Sequence, residues 1–321
     1  MDNSITEKSP AKINLFLKIL NRREDNYHNI RTGITSINLC DEIVVKPSNQ
    51  FNVEYKGAFA PENNIFDDCI IKKIFSFLNI SPPNISFSIT KNFPYQAGLG
   101  SASSNAATVI KILENLEIIN KKNIFDYTNL GSDIPFFLNQ HDSLVRGRGD
   151  LISNIVFPKY FFLITKPNFN CSTKKMYDTF ISSDFDYNVE EDIEEINDND
   201  NGNDFEKVIK KLEPDFNSIY NKMDNLEDTI FTRLTGSGSC IFSVFENKLK
   251  AILGKNFDEQ EFKKLISLSE KALKDAIIGK FRNSREERSN IIGEDQSKEI
   301  EKRIFLQSID INWKSHIQYL E

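Results

Sequence analysis

Residues 93–108 read FPYQAGLGSASSNAAT and separate a strand-like segment, residues 85–90, from a helical one. Apolar side chains recur at helical spacing after this stretch, at Val109, Ile112, Leu113 and Leu116. The stretch itself is a loop of glycine and serine that is entered through Pro94. Small residues let the backbone approach a ligand closely, and the N–H groups at a helix start attract anions. The loop therefore predicts a phosphate site, with a simple turn before an ordinary helix as the alternative.

Length and charge narrow the class of protein. The chain has 321 residues, which favours two domains, and its net charge is −7. Proteins that bind nucleic acid usually carry a basic surface, so we expect no nucleic-acid partner. No segment is long and apolar enough to cross a bilayer, so we expect a cytoplasmic protein without a membrane partner. The four cysteines are far apart in the sequence, which indicates free thiols.

Residues 11–20, AKINLFLKIL, alternate strictly and predict a strand. Lys12 and Asn14 share one face of it, because side chains two apart point the same way. Such a face either holds a cationic and an amide group over a cleft or lies in solvent. The pattern alone favours solvent.

Three polar side chains elsewhere in the first half are candidate site residues. Tyr27 and His28 follow an Asp-Asn turn and suit a planar, hydrogen-bonding ligand. Asp133 lies in LGSDIPFFL among small and apolar residues, where a carboxylate needs a partner. The alternative for Asp133 is an N-cap, since Asp before a helical turn accepts backbone N–H bonds.

The second half of the chain begins with an apolar strand at residues 156–166, followed by a helix that Ser172 or Thr173 would cap. Residues 184–204 contain no Lys or Arg and predict a mobile acidic loop without a site. Residues 232–245, TRLTGSGSCIFSVF, place a second glycine turn before an apolar strand. Glycines there can brace another backbone or border a nucleotide, and the alternative is a tight turn.

These motifs together resemble the GHMP small-molecule kinases. SPAKINLFLKIL with DNYHNI, then PYQAGLGSASSNAAT, then LTGSGSC follow the order and spacing of that family's three motifs. The pairing of AKINLFL with YHNI, together with GSDIPFFL, is similar to the branch that acts on a cytidine diphosphate-linked methylerythritol. The resemblance covers roughly residues 8–245. The three family motifs and GSDIPFFL, found together in the expected order, are far more specific than any one of the four.

The resemblance implies ATP-dependent phosphorylation of the tertiary 2-hydroxyl of that substrate, a step of the non-mevalonate route to isoprenoids. Lys12 and Asp133 match the family's catalytic pair. Asp133 would accept or orient the hydroxyl proton, and Lys12 would offset charge on the transferring phosphoryl group. The implied substrate residues are Asn14, Tyr27, His28, Thr173 and Tyr177. Among them the histidine would read the cytosine edge, and the two tyrosines would sandwich the ring.

The resemblance also implies ATP as co-substrate, with Mg²⁺ to neutralise its β- and γ-phosphates. The implied nucleotide residues are Asn63, Lys91, Pro94, Gly98, Leu99, Gly100, Ser101, Ser103, Ser104, Gly236 and Gly238. Ser104 is also the candidate Mg²⁺ ligand. Ser101 and Ala102 stand where relatives usually carry glycine, and the added Cβ atoms are expected to weaken ATP binding.

The fold implied by the resemblance is α+β, the GHMP kinase two-domain fold. Residues 1–155 would form the N-terminal α/β layer domain that binds ATP. Residues 156–245 would form a ferredoxin-like C-terminal domain that is truncated. Residues 246–321 would form a helical extension, in which residues 249–321 resemble a scaffold fragment of the SecA translocase. The apolar stripes of this tail are a candidate surface for self-association.

Two other functions stay open from the sequence. One is a catalytically impaired, nucleotide-binding fusion protein, because the second domain is truncated. The other is a different GHMP small-molecule kinase. Tyr27, His28 and Tyr177 argue against the latter, because a cytosine clamp has no use in it.

Overall fold

The computed structural model describes residues 4–61, 69–183 and 202–246, and single residues at 272, 275 and 279. Asn63, most of the acidic segment 184–204 and the predicted helical tail beyond residue 246 therefore lie outside the described residues, apart from those three positions. The chain divides into two compact units, residues 1–252 and 253–321. The first unit contains both described β-sheets.

Two long antiparallel strands form the centre of the first sheet. The strands of this sheet are β1 (Ile5–Arg22), β2 (His28–Pro47), β3 (Asn52–Lys56), β4 (Ile85–Thr90), β5 (Ser143–Gly147) and β6 (Leu151–Asn154). β2 pairs with β1 along nearly its whole length, with β5 near its start and with β4 near its end. Register shifts between Pro10 and Lys12 and between Asn14 and Phe16 interrupt the β1–β2 pairing. Bulges of this kind re-aim side chains, and here they flank the polar pair on β1.

Helices pack on this sheet and enclose its core. They are α1 (Ile70–Leu78), α2 (Ser101–Asn115), a short 3-10 helix (Ile124–Tyr127) and α3 (Ile134–Asn139). Fully buried residues of α2, such as Val109 and Ile110, share a cluster with Ile43, Phe87 and Ile89 of the sheet. Burying α2 in this way fixes the position of its N-terminus and of the glycine loop before it.

A smaller antiparallel sheet follows, in the order β7 (Phe161–Thr165), β9 (Ile241–Phe245), β8 (Phe231–Leu234). Its helices are α4 (Thr173–Ser182), α5 (Phe205–Leu212) and α6 (Asp215–Asp224). Leu17 and Ile19 of β1 lie in the same core as Phe180 and Phe205. β1 therefore belongs to both layers, and the polar residues in its middle lie where the layers meet. The predicted domain boundary at residues 155/156 falls between β6 and β7.

The predicted strands at residues 11–20 and 85–90 and the helix after the glycine loop are confirmed. The Ser172 cap is confirmed too: its hydroxyl accepts a hydrogen bond from the Lys175 N–H at 3.1 Å. Among the described residues, no helix is both long and apolar enough to cross a membrane.

Three local predictions are wrong. The Lys12–Asn14 face of β1 is not solvated, since each residue is 3% exposed. The Asp-Glu pair at residues 41–42 predicts a turn from its sequence, but it lies in the interior of β2, where Asp41 is fully buried because it has an ionic partner. The predicted mobile loop at residues 184–204 does not extend to its last two residues. Asn203 and Asp204 are buried and form hydrogen bonds with backbone groups of Leu234 and Ile19.

Candidate active site

The glycine loop before α2 adopts a backbone that requires glycine. Gly98 and Gly100 have φ angles of +78° and +74°. A Cβ on Gly98 would lie 2.0 Å from the Thr235 carbonyl oxygen. The first turn of α2 has no acidic residue and no side-chain cap, so its N–H groups stay available to an anion. The loop, which is the predicted phosphate loop, and the helix start together suit the binding of a phosphate group.

The second glycine turn, between β8 and β9, packs against this loop backbone to backbone. A Cβ on Gly238 would lie 1.8 Å from the Gly98 nitrogen. The Cys240 N–H donates to the Ala97 carbonyl at 3.1 Å, and the Thr235 hydroxyl donates to the Gly98 carbonyl at 3.2 Å. The second turn therefore holds the phosphate loop in place.

Lys12 and Asp133 come from distant parts of the sequence and meet beside the loop. The Lys12 Nζ lies 3.7 Å from the Asp133 Oδ2. The Lys12 side chain is 4% exposed and that of Asp133 is 33% exposed. Burial lowers the pKa of Lys12, whereas the Asp133 carboxylate raises it. Asp133 stands at the N-cap position of α3, but its side chain makes no capping bond, so the carboxylate faces the lysine instead.

Asn14 and Gly236 hold the lysine in this position. The Lys12 ammonium donates to the Asn14 Oδ1, and the Asn14 Nδ2 donates to the Thr32 hydroxyl at 2.9 Å. Both polar atoms of the Asn14 side chain are therefore used inside the protein. A Cβ on Gly236 would lie 3.0 Å from the Lys12 Nζ, so glycine there leaves room for the ammonium.

A cleft of about 380 Å³ joins these parts. Its walls include Lys12, Gly98, Gly100, Ser103, Asp133 and Thr173. The Thr173 hydroxyl lies 2.7 Å from that of Ser237 in the second glycine turn. The predicted phosphate loop, the predicted catalytic pair and one predicted substrate residue thus line a single opening.

A buried polar network supports the start of α2. The Lys91 ammonium pairs with the fully buried Asp41 carboxylate, and it also donates to the Ser101 hydroxyl at 2.5 Å and to the Asn105 Oδ1 at 2.9 Å. Burial lowers the pKa of Lys91, while Asp41 raises it. The Ser101 hydroxyl therefore connects the start of α2, through Lys91, to Asp41 of β2. A glycine at position 101 would offer no such side-chain bond.

Three predicted nucleotide residues act through their main chain or lie off the cleft. The Leu99 side chain is buried, and its carbonyl accepts from the Lys12 N–H at 3.0 Å. Pro94 precedes the loop and does not line the cleft. The Ser104 hydroxyl lies 2.7 Å from that of Ser9 and is fully buried away from the cleft. This geometry disfavours Ser104 as a metal ligand, whereas Ser103 lines the cleft together with Asp133.

The residues predicted to hold cytosine are arranged differently from the expected sandwich. The rings of His28 and Tyr177 stack on each other, with centroids 4.8 Å apart and planes 19° apart. Tyr27 is 58% exposed, and its ring lies 5.5 Å from the Arg148 guanidinium. Burial and the charge of Arg22 lower the pKa of His28, so its ring is neutral at pH 7.

Asn203, which was not among the predicted site residues, fixes the second glycine turn. The Asn203 Nδ2 donates to the carbonyls of Leu234 and Gly236, both at 2.8 Å. Asp204 next to it accepts from the Ile19 N–H at 2.7 Å and so binds β1. The signal was present, because an Asn-Gly-Asn-Asp run before the amphipathic segment FEKVIKKL is typical of a helix start.

Comparison with known proteins agrees with this arrangement. The GHMP kinases N terminal domain matches residues 68–139. A 4-diphosphocytidyl-2-C-methyl-D-erythritol kinase of Syntrophus aciditrophicus is 33% identical over 267 residues, which are 77% of this chain and 94% of that protein. The chain belongs to this kinase family. A relative of the same name from Francisella philomiragia is 32% identical over 266 residues, 77% of this chain and 90% of its own.

A crystal structure of 4-(cytidine 5'-diphospho)-2C-methyl-D-erythritol kinase superposes with a TM-score of 0.62 at 25% identity. It covers 75% of this chain and 90% of its own. The fold is therefore the α+β fold of the GHMP kinases. The SecA Wing and Scaffold domain also matches, over residues 162–321. That match begins earlier than the predicted residue 249, and its first part overlaps the second sheet described above.

Proposed function

We propose that this chain transfers the γ-phosphoryl group of ATP to the 2-hydroxyl of 4-diphosphocytidyl-2-C-methyl-D-erythritol. The proposal rests on the Lys12–Asp133 pair, which lines the same cleft as the phosphate loop. Family membership supports the reaction and the substrate. The reaction needs ATP, and free cysteines are typical of a reducing compartment, so we place the reaction in the cytoplasm.

Asp133 and Lys12 would divide the chemistry between them. Asp133 is the more exposed member of the pair, and it would orient the 2-hydroxyl and accept its proton as the oxygen attacks. Lys12 is buried, so its positive charge is poorly screened and would stabilise charge on the phosphoryl oxygens. Asn14 is a positioning residue, since it holds the ammonium without lining the cleft.

The glycine loop and the start of α2 would bind the phosphates of ATP. The backbone N–H groups point to that position, and the helix dipole favours negative charge there. Mg²⁺ usually takes one or two protein oxygens together with phosphate oxygens, and Asp133 and Ser103 supply such oxygens in the cleft. When bound, it would neutralise the β- and γ-phosphates. The described residues contain no cluster of three or more His, Cys, Asp or Glu that could hold a metal by itself.

His28 would read the cytosine. Its neutral ring offers one N–H donor and one acceptor nitrogen, and the Watson–Crick edge of cytosine offers an amino donor and a ring acceptor. Tyr177 and Tyr27 offer aromatic faces for stacking on the base. Thr173 lies at the cleft wall and would contact the substrate between the base and the reacting hydroxyl.

A steady-state assay with three alcohols tests this function. Purified full-length protein is given ATP, Mg²⁺ and, in turn, the cytidyl substrate, mevalonate or homoserine, and ADP release is measured. We expect turnover with the cytidyl substrate alone. ATP binding without turnover on any alcohol would instead identify an impaired nucleotide-binding protein. Turnover restricted to mevalonate or homoserine would identify a different GHMP kinase.

A further inference from the structure

A second cavity, of about 630 Å³, runs along α2 from Ser104 towards the C-terminal end of the helix. Its walls come from the start of β1, the C-terminal half of α2, the 3-10 helix and the end of α3. It shares no lining residue with the catalytic cleft, so nothing proposed above accounts for it. Its volume falls in the range of small-molecule sites.

Basic side chains dominate the wall of this cavity. Four lysines and two glutamates line it: Lys8, Lys111, Lys121, Lys122, Glu7 and Glu114. The whole protein carries a net charge of −7, so a wall with excess positive charge departs from the average surface. A concave site of this kind raises the local concentration of anions.

Lys111 is the least exposed of the four lysines that line the cavity. Its ammonium donates to the Phe137 carbonyl at 2.8 Å, which uses one of its three N–H groups. Among the described residues, no carboxylate forms an ion pair with it. Burial lowers the pKa of Lys111 to about 8, although Glu114 and Glu7 act in the opposite direction. Lys111 thus has N–H groups to give to an anion in the cavity.

Tyr127 supplies a second polar group at the same wall. The residue is 1% exposed, and its hydroxyl has no hydrogen-bond partner among the described residues. Burial and the charges of Glu114 and Asp126 raise the pKa of Tyr127 to about 12, so the hydroxyl keeps its proton. A buried hydroxyl without a partner is destabilising, and a ligand oxygen in the cavity would satisfy it.

We propose that this cavity binds a small organic phosphate, with the phosphoryl group between Lys111 and Tyr127. A phosphate has several acceptor oxygens, which matches several donors converging from different elements. The cavity is much larger than one phosphate, and Ile112, Ile124 and Leu138 line it beside the polar groups. These apolar residues would pack against the organic part of the ligand.

Calorimetric titration with phenyl phosphate tests the proposal. The full-length protein is first saturated with Mg²⁺ and a non-hydrolysable ATP analogue, so that the catalytic cleft is filled. We expect phenyl phosphate to bind, and Lys111→Gln and Tyr127→Phe each to weaken binding by about tenfold or more. Lys72→Gln, an exposed lysine of α1, should leave binding unchanged. Tyr127→Phe only removes an unpartnered hydroxyl, so this variant should fold at least as well as the parent.

Two results would overturn the proposal: no binding while the cleft is filled, or binding that neither Lys111→Gln nor Tyr127→Phe weakens. Benzoate provides a further test, since binding as tight as that of phenyl phosphate would contradict the choice of a phosphate. None of these residues belongs to the proposed catalytic machinery. Failure here therefore leaves the kinase assay, and the function it tests, unaffected.

Discussion

The Lys12 Nζ lies 3.7 Å from the Asp133 Oδ2, although Lys12 is in the middle of β1 and Asp133 stands at the start of α3. Both residues line the cleft, but Lys12 is buried and Asp133 is partly exposed, so the carboxylate is the more accessible of the two. This difference in exposure supports the separate tasks proposed for the two residues. The carboxylate would orient the acceptor hydroxyl and accept its proton, and the ammonium would supply fixed charge next to the phosphate loop.

The contact between the two glycine turns predicts that Gly238 contributes to ATP binding. In Gly238→Ala the new Cβ would fall 1.8 Å from the Gly98 nitrogen, so the phosphate loop must move. We expect ATP affinity to drop at least about tenfold, because loop geometry shifted by an ångström loses its backbone bonds. The measurement is the dissociation constant of a fluorescent ATP analogue. Gly202→Ala is the matched control, since nothing lies within 4 Å of its Cβ position. Equal ATP affinity in both variants would contradict the proposal that the contact at Gly238 holds the phosphate loop in place.

The Lys91–Asp41 pair predicts a specific pattern of stability. Asp41→Asn leaves the buried Lys91 ammonium without a counter-charge, and we expect unfolding free energy to fall by about 3–5 kcal/mol. The double variant Asp41→Leu/Lys91→Met removes both charges and should recover most of that loss. Urea denaturation measures both changes.

The exposed pair Lys56–Glu54 gives the control for this prediction. Its side chains are 55% and 44% exposed, so Glu54→Gln should cost less than about 1 kcal/mol. If the double variant is as unstable as Asp41→Asn, the loss comes from packing rather than from the unpaired charge.

Tyr177 is expected to matter for the cytidyl substrate and not for ATP. Its ring is proposed to stack on the cytosine, and stacking on a base contributes about 1–3 kcal/mol. Tyr177→Ala should raise the KM for the cytidyl substrate by roughly five- to a hundredfold, with the KM for ATP nearly unchanged. Tyr177→Phe keeps the ring and should behave almost like the parent. A loss confined to kcat in the alanine variant would remove Tyr177 from the substrate site.

The lowered pKa of His28 predicts a pH dependence of substrate binding. The folded protein favours the neutral ring, which supplies the acceptor nitrogen needed at the cytosine edge. As the pH falls through this lowered pKa, below the usual range of histidine, the ring becomes protonated and loses that acceptor, so the KM for the cytidyl substrate should rise. His28→Gln keeps a donor and an acceptor but does not titrate. A KM profile that stays the same in His28→Gln would assign the pH effect to another group.

Much of the site could be predicted because its parts are local in sequence. The loop at residues 93–108 needs glycine where φ is positive, and the strand at residues 11–20 follows from alternation. The burial of Asp41 inside β2 could not be predicted, because its buried partner Lys91 is remote in the sequence and nothing near Asp41 indicates an ion pair. The stacking of His28 on Tyr177 depends on how β2 packs against α4, which no periodicity encodes. The run around Asn203 indicates a helix start, but its hydrogen bonds could not be predicted, since the carbonyls it binds belong to Leu234 and Gly236, about 30 residues further along the chain.

The most direct test of the account is phosphoryl transfer by Asp133→Asn, followed by ³¹P NMR of the cytidyl product. The account predicts that the parent protein phosphorylates the 2-hydroxyl, and that Asp133→Asn still binds both substrates but turns over about 10²- to 10⁴-fold more slowly. Asp215→Asn, at the exposed start of α6, should keep full activity. Turnover by Asp133→Asn at the parent rate would contradict the central claim that this carboxylate, held beside Lys12, activates the acceptor.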